Sequence, residues 1–192
     1  MAMPRNKAGS VRERLLAAAF EIATRDGVDA VSTRAVCADA GVQAPSLYHY
    51  FSDRAGLIRA VVDMAFEEYF HRKDASALTD AADPRARVAA GWDAHIAFAL
   101  AYPGLYPAMY PTSGPLSGQV QQSGALLRAG FDELEQAGAL QPGVTAEVAA
   151  DALRAALRGV ALAVVADPGN EAISPVVRDA LVQALVADRA HA

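Results

Sequence analysis

Apolar residues return every three or four positions along most of this chain, whereas the strict alternation typical of a half-exposed strand is scarce. Spacing of three and four places apolar side chains on one face of a helix. Alanine, which has the strongest intrinsic preference for the helix, is also abundant. The pattern therefore predicts an all-α protein with about nine helices.

Three helices are predicted in the first 52 residues. Ser10 and Glu13 have the spacing of a capping box, and the helix that they open reaches a glycine stop at Gly27. A second helix covers about 33–41 and a third about 44–50. Two short helices with a glycine in the turn between them are typical of a helix-turn-helix unit.

A fourth helix, over about 52–78, carries a broad apolar stripe and is long enough to join two domains. We therefore divide the chain into residues 1–52, called the head, and residues 53–192, called the body. The body continues with a helix that Asp83 and Pro84 open and that ends before Pro103.

The segment 102–118 is crowded with prolines, tyrosines and glycines, so we expect only short and irregular helix there. Three interpretations stay open: an element that moves, an entrance to a cavity, or an ordinary surface connection. Further helices are predicted over about 116–137, over 145–166 and from Ser174 onward.

The distribution of charge separates the two parts. The net charge is −5, but residues 1–60 carry eight Arg and Lys against six Asp and Glu, whereas residues 61–192 carry nine against sixteen. A weakly basic head on an acidic body argues against indiscriminate nucleic-acid binding and directs DNA toward the head.

Other features bound the class of protein. No run of 18 uncharged apolar residues and no signal-peptide core occurs, so we expect a cytoplasmic protein that binds no membrane. The single cysteine, Cys37, excludes an internal disulfide and a cysteine-based zinc cage, and we interpret it as a small buried residue. We expect no cofactor and no bound metal.

The second helix of a helix-turn-helix lies in the major groove with its N-terminal residues against base edges. Gln43 can bond an adenine edge, and Ala44 and Pro45 can touch thymine methyl groups. The candidate base-reading residues are Gln43, Ala44, Pro45, Ser46 and His49. The candidate phosphate contacts are Arg34, Tyr48, Tyr50 and Arg54. Leu47 and Phe51 continue the apolar spacing and are predicted to be core.

The run TRAVCADAGVQAPSLYHYFSDRAGL, within residues 12–62, resembles the TetR/AcrR family of bacterial transcriptional regulators. The resemblance implies a three-helix DNA-binding head, a larger helical ligand-sensing body and a homodimer that binds a palindromic or pseudo-palindromic operator. It also implies that Thr33, Tyr48 and Arg54 contact the DNA backbone.

This chain departs from the common family pattern inside the reading helix. Gln43-Ala44-Pro45 replaces a serine-lysine-glycine, and the usual aromatic-then-histidine order is reversed to His49 then Tyr50. The first change removes a phosphate-seeking lysine and leaves a less polar reading surface.

Aromatic and polar-tipped side chains concentrate around the segment 102–118, as in an apolar cavity with a few orienting polar groups. The alternative for each is ordinary core, and an interior histidine such as His95 is more often satisfied by a neighbour than used for a ligand. The candidate effector-binding residues are Phe66, Trp92, His95, Ile96, Tyr102, Tyr106, Met109, Tyr110, Leu127 and Phe131.

The last two predicted helices carry small residues together with Leu and Val, so two copies of the chain can pack as a four-helix interface. These helices resemble the dimerising helices of the family. The candidate dimer-interface residues are Leu153, Ala156, Leu157, Val160, Val164, Val177, Leu181 and Leu185.

The leading hypothesis is a homodimeric regulator, a repressor by resemblance, that leaves its operator when a small and mostly apolar effector fills the body. An all-helical metal or small-molecule enzyme that keeps a non-functional head is the alternative, although Glu68 and His71 supply only half of a di-iron motif and no nucleophile elbow or phosphate loop occurs. The third hypothesis is a scaffold whose helix-turn-helix binds protein.

The basic residues Arg5 and Lys7, before the first helix, form either a minor-groove arm or a disordered tail.

Overall fold

The computed structural model of the protein describes residues 9–75, 83–110 and 118–188, without the side chains of 72–75. Helices make up the regular structure of these ranges, together with one isolated antiparallel bridge, which confirms the all-α prediction. The helices are α1 (Val11–Asp26), α2 (Thr33–Ala40), α3 (Ala44–Phe51), α4 (Arg54–Ala75), α5 (Pro84–Ala101), α6 (Tyr106–Met109), α7 (Gly118–Gln136), α8 (Ala146–Ala166) and α9 (Ile173–Leu185). The predicted roles of Arg5 and Lys7 lie outside the described residues.

None of the helices in the described ranges has a stretch apolar enough to traverse a lipid bilayer.

Contacts divide the chain into two compact units. Unit 1 comprises Met1–Glu68 and Tyr102–Pro111, and unit 2 comprises Tyr69–Ala101 and Thr112–Ala192. The segment that holds α6 therefore belongs to the same unit as α1, α2 and α3. The division of function after residue 52 stays a prediction.

Local signals set the ends of α1 as predicted. The Ser10 hydroxyl accepts from the Glu13 amide at 3.3 Å, and the Glu13 carboxylate accepts from the Ser10 amide at 2.9 Å. Gly27 ends the helix with φ +84°, a conformation that residues with a Cβ adopt rarely. A 3₁₀ turn, Val28–Ala30, then leads to α2.

The core of unit 1 lies where α1 packs against α2 and α3. Leu47 is fully buried and Phe51 is 6% exposed, which confirms their prediction as core residues. Cys37 is buried as well, and burial raises the pKa of its thiol. The face of α3 opposite these residues remains at the surface.

The connection from α3 to α4 is tighter than the sequence pattern suggests. Ser52 has φ +63° and ψ −50°, and the Asp53 amide donates to the Phe51 carbonyl at 2.7 Å, which is a classic γ-turn, a rare and strained one. Asp53 then caps the next helix by accepting from the Gly56 amide at 2.6 Å. The fourth helix therefore begins at Arg54, not at Ser52 as the pattern predicted.

In unit 2, α5 packs against α8 and α9, and α7 packs against α8. Asp83 caps α5 and Thr145 caps α8, each through hydrogen bonds from backbone amides. The chain after α9 forms a bridge between Val186 and Leu140. Arg85 fixes this end further by donating from Nε and Nη2 to the Val186 carbonyl at 2.9 and 2.8 Å.

Candidate nucleic-acid interface and effector site

The pair α2 and α3 is set by a side-chain cap at the start of α2 and by a left-handed glycine between the two helices. The Ser32 hydroxyl accepts from the Ala35 amide at 3.2 Å and so caps α2. Gly41 ends α2 with φ +66° and ψ +40°, and the Val42 amide donates to the Cys37 carbonyl at 3.0 Å. Gln43 is the N-cap residue of α3, but its side chain makes no capping hydrogen bond.

The exposed face of α3 carries aromatic rings. Tyr48 is 52% exposed and Tyr50 is 43% exposed. His49 is exposed too, and its ring meets that of Tyr50 edge to face with centroids 4.9 Å apart. Of the other predicted base-reading residues, Gln43 and Pro45 are exposed, and Ala44 and Ser46 are half-buried.

The three predicted phosphate contacts outside α3 differ in their surroundings. Thr33 is half-buried at the first position of α2, and Arg34 beside it is exposed. Arg54 is exposed over part of its surface, but its guanidinium donates to the backbone carbonyls of Val31, Val28 and Asp29. The structure thus gives Arg54 an intramolecular role that the sequence pattern did not suggest.

Arg12 is a further basic residue of unit 1 that the sequence reasoning missed. Its guanidinium carbon lies 5.5 Å from the centroid of the Phe51 ring, within the range of a cation–π contact. Arg12 and Phe51 are far apart in the sequence, and no local pattern connects them. The contact places a positive charge beside the C-terminal end of α3.

Five of the predicted effector-binding residues lie in unit 1. Phe66, Tyr106 and Met109 are almost completely buried. The ring of Tyr110 meets those of Phe66 and Tyr106 at centroid distances of 5.6 and 4.9 Å. The fifth, Tyr102, is half-buried.

Tyr102 ties the segment before α6 to two helices of unit 1. Its ring stands edge to face against Phe20 of α1 at 5.8 Å, and its hydroxyl donates to Glu68 Oε1 at 3.3 Å. Gly104 makes an even closer approach, because a Cβ at this residue would lie 2.3 Å from the Ala23 carbonyl oxygen and 2.9 Å from the Gly27 nitrogen. The segment therefore packs against the C-terminal end of α1.

The other five lie in unit 2: Trp92, His95, Ile96, Leu127 and Phe131. Trp92 is fully buried and donates from Nε1 to the Ser174 hydroxyl at 2.9 Å, so its polar edge is satisfied by α9. Ile96 and Phe131 are buried and Leu127 is half-buried. That the ten residues line one cavity stays a prediction.

His95 belongs to a buried polar group that the sequence reasoning found only in part. Its Nδ1 lies 3.1 Å from the hydroxyl of Tyr69, and both residues are 6% exposed. Burial raises the pKa of Tyr69 to about 12, against a smaller lowering by its hydrogen bond with Ser123. Tyr69 and Ser123 come from α4 and α7, and no spacing in the sequence links them to His95.

The predicted dimer residues divide by burial. Leu153, Leu157, Val160, Val164 and Leu185 are less than about a tenth exposed and pack inside unit 2, whereas Ala156, Val177 and Leu181 are half-buried. Neighbouring apolar side chains are the exposed ones: Val148 on α8 is 57% exposed and Val176 on α9 is 68% exposed.

Within the described ranges, no three His, Cys, Asp or Glu side chains come together in a way that could hold a metal ion.

The N-terminal region of the chain matches a known protein family. Residues 15–61 match the family described as "Bacterial regulatory proteins, tetR family". This range contains α2, α3 and most of α1. No curated protein sequence matches the chain.

Solved structures share the fold over nearly the whole chain. A protein of unknown function from Rhodococcus sp. RHA1 is 26% identical, with a TM-score of 0.78, over 96% of this chain and 100% of that one. A putative tetR family transcription regulator from Shewanella sp. PV-4 is 18% identical, with a TM-score of 0.69, over 94% and 100%. The transcriptional regulator FadR from Bacillus subtilis, in complex with stearoyl-CoA, is 15% identical, with a TM-score of 0.73, over 90% and 98%.

Proposed function

We propose that this protein, whose N-terminal region belongs to the tetR family of bacterial regulators, is a homodimeric repressor that leaves its operator when a small and mostly apolar effector binds the body. The observation that carries the proposal is the exposed face of α3. Tyr48, His49 and Tyr50 stand at the surface of a short helix whose opposite side, with Leu47 and Phe51, is buried. A helix anchored in this way can enter a major groove without unfolding its own domain.

DNA recognition is divided between two sets of side chains. Base edges are contacted by Gln43 at the N-cap of α3, by Ala44, Pro45 and Ser46 in its first turn, and by His49. Gln43 supplies hydrogen bonding, and Ala44 and Pro45 supply apolar contact with thymine methyl groups. Thr33, Arg34 and the hydroxyls of Tyr48 and Tyr50 contact phosphates. Because few of these groups are charged, we expect a shallow dependence of affinity on salt.

Effector binding acts through the segment 102–110. This segment carries several predicted effector-binding residues and, within unit 1, packs against α1 through Tyr102 and Gly104. An apolar effector suits side chains such as Phe66 and Met109. FadR of B. subtilis, which has the same fold, was solved with stearoyl-CoA, a ligand with a long apolar part.

The dimer forms through the exposed sides of α8 and α9. Val148, Ala155 and Gly159 are exposed on α8, and Val176 and Ala180 are exposed on α9. Small residues at helical spacing let two copies approach closely. The buried residues of the predicted interface, such as Leu153 and Val160, support this surface from inside each protomer.

Selection of DNA tests the proposal. The full-length protein is incubated with random 30-bp duplexes, and the bound fraction is amplified over repeated rounds and sequenced. We expect an enriched site with two-fold symmetry, bound by one dimer as measured by light scattering of the complex. Failure to enrich any sequence at low salt would overturn the proposal.

A further inference from the structure

The side chain of Arg54 is turned back onto its own domain. Its Nε donates to the Val31 carbonyl at 2.6 Å, and its Nη2 donates to the carbonyls of Val28 and Asp29 at 2.9 and 3.2 Å. All four residues belong to unit 1. A planar guanidinium presents several N–H groups in a fixed arrangement, which suits a set of converging carbonyls better than a single ammonium does.

We propose that Arg54 is a positioning residue for DNA binding, which acts through the loop before α2 and not through a phosphate contact of its own. The inference rests on the proposed function, since it concerns how the same helix pair is held for DNA. It replaces the role that resemblance implied for this residue.

The loop before α2, residues 28–31, needs a side-chain donor because its carbonyls accept few hydrogen bonds from the backbone. Only two amides close the 3₁₀ turn, from Ala30 to the Gly27 carbonyl and from Val31 to the Val28 carbonyl, each at 3.2 Å. Backbone carbonyls of a short loop are otherwise satisfied by side chains or water. Arg54 supplies donors to three carbonyls of this loop, those of Val28, Asp29 and Val31.

The loop in turn fixes the start of α2. Val31 is fully buried, and the next residue, Ser32, caps the helix through its hydroxyl. Thr33 and Arg34 follow in the first helical turn, so the direction of the loop decides where these two side chains point. Arg54 therefore determines the position of the predicted phosphate contacts without being one.

Arg54 is itself held firmly in place. It is the first residue of α4, directly after the γ-turn at Ser52 and the capping residue Asp53. The γ-turn ties the start of α4 to the end of α3, and the Arg54 side chain ties it to the start of α2. The first turn of α4 thus fixes both α2 and α3.

Two matched variants of the full-length protein test this, Arg54→Gln and Arg34→Gln. The probe is the duplex that wild-type protein selects from the random library, and the affinity is measured from 50 to 300 mM KCl. The plot of log K against log salt has a negative slope, and removing a phosphate contact from both half-sites makes that slope less steep by about 2. We expect this change for Arg34→Gln, whereas Arg54→Gln weakens binding about tenfold at every salt concentration with an unchanged slope.

Amide hydrogen exchange of the DNA-free protein supplies an independent measurement. Arg54→Gln should speed exchange of the Ala30, Val31 and Ala35 amides about tenfold while the Val42 amide, at the other end of α2, keeps its rate. Arg34→Gln should change none of them. Arg54→Lys, which keeps the charge, should keep the salt slope and still speed exchange. It serves in place of Arg54→Gln in the exchange measurement if that variant does not fold by circular dichroism.

Each other outcome contradicts the proposal. If Arg54→Gln made the salt dependence of the affinity as much less steep as Arg34→Gln does, Arg54 would be identified as a phosphate contact. Unchanged exchange in a folded Arg54 variant would show that its hydrogen bonds do not hold the loop. A wild-type protein that selects no duplex would overturn the proposed function and with it any effect of Arg54 on DNA, even where exchange shows that the loop depends on Arg54.

Discussion

The backbone oxygen of Phe51 lies so close to Gly56 that a Cβ at residue 56 would stand 2.1 Å from it. Real Cβ atoms do not approach an oxygen to this distance, so the contact exists only because residue 56 is a glycine. The close approach sets the end of α3 against the first turn of α4. It lies next to the exposed aromatic residues that we propose for DNA binding.

Gly56→Ala should therefore destabilise the protein by about 2–3 kcal/mol, as expected when added atoms force backbone to move. Gly130→Ala on α7 is the matched control, because a Cβ there meets nothing within 4 Å. The control should be neutral or more stable by up to about 1 kcal/mol, since alanine favours the helix over glycine. Urea unfolding followed by circular dichroism measures both, and equal stability of the two variants would contradict the close contact.

Gly104→Ala should separate the segment before α6 from α1, because the new Cβ would collide with the Ala23 carbonyl. The Gly27 amide donates to that carbonyl at 3.0 Å, and its hydrogen exchange should become faster by about tenfold. The Gly138 amide, bonded to the Glu135 carbonyl in unit 2, should keep its rate. Exchange that is unchanged at Gly27 would count against this packing.

Tyr69 should make stability fall at high pH. Its pKa is raised to about 12 in the folded protein and is close to 10 when unfolded, so the unfolded state releases the proton first. The contribution to stability is complete below pH 10 and is lost as the pH rises from 10 to 12, by about 1.4 kcal/mol at pH 11.

Tyr69→Phe is the variant that isolates this effect, since it removes the titrating group and keeps the ring. The difference in unfolding free energy between wild type and variant should narrow by about 1.4 kcal/mol between pH 8 and pH 11. A difference in unfolding free energy that stays constant over this pH range would show that burial does not raise the pKa of Tyr69.

Charge on the exposed face of α8 should break the dimer. Ala155→Glu would place two like charges near each other across the proposed two-fold interface and remove them from water there. Ala129→Glu on the exposed side of α7 is the control and should leave the dimer intact. Light scattering at micromolar concentration measures the molar mass of each variant. A monomeric wild type, or an Ala155→Glu variant that is still a dimer, would overturn the proposed dimer interface.

Helix ends were predictable because their signals are local. Ser10 with Glu13, Asp83 with Pro84, and the glycines at 27 and 41 each act within one helical turn, and the structure confirms all of them. The γ-turn at Ser52 was missed because serine rarely adopts a positive φ, and nothing in its neighbours requires one.

The sites were harder to predict, because they depend on contacts between residues far apart in the chain. No spacing connects Arg54 with Val28, or Tyr69 with His95 and Ser123. On α8 apolar residues occupy more than one face, so periodicity alone does not distinguish Leu153, which is buried inside the protomer, from Val148, which is exposed.

The central claim, that α3 reads an operator, is tested most directly by fluorescence anisotropy of the selected duplex and of a scrambled duplex of equal composition, with wild-type protein and Tyr48→Ala. Tyr48 is half-exposed, so its truncation should leave the fold intact. We expect wild type to bind the selected duplex at least about 1,000-fold more tightly than the scrambled one, and Tyr48→Ala to bind both more weakly by about tenfold. Equal affinity of wild type for the two duplexes, or a Tyr48→Ala variant that binds like wild type, would contradict the account.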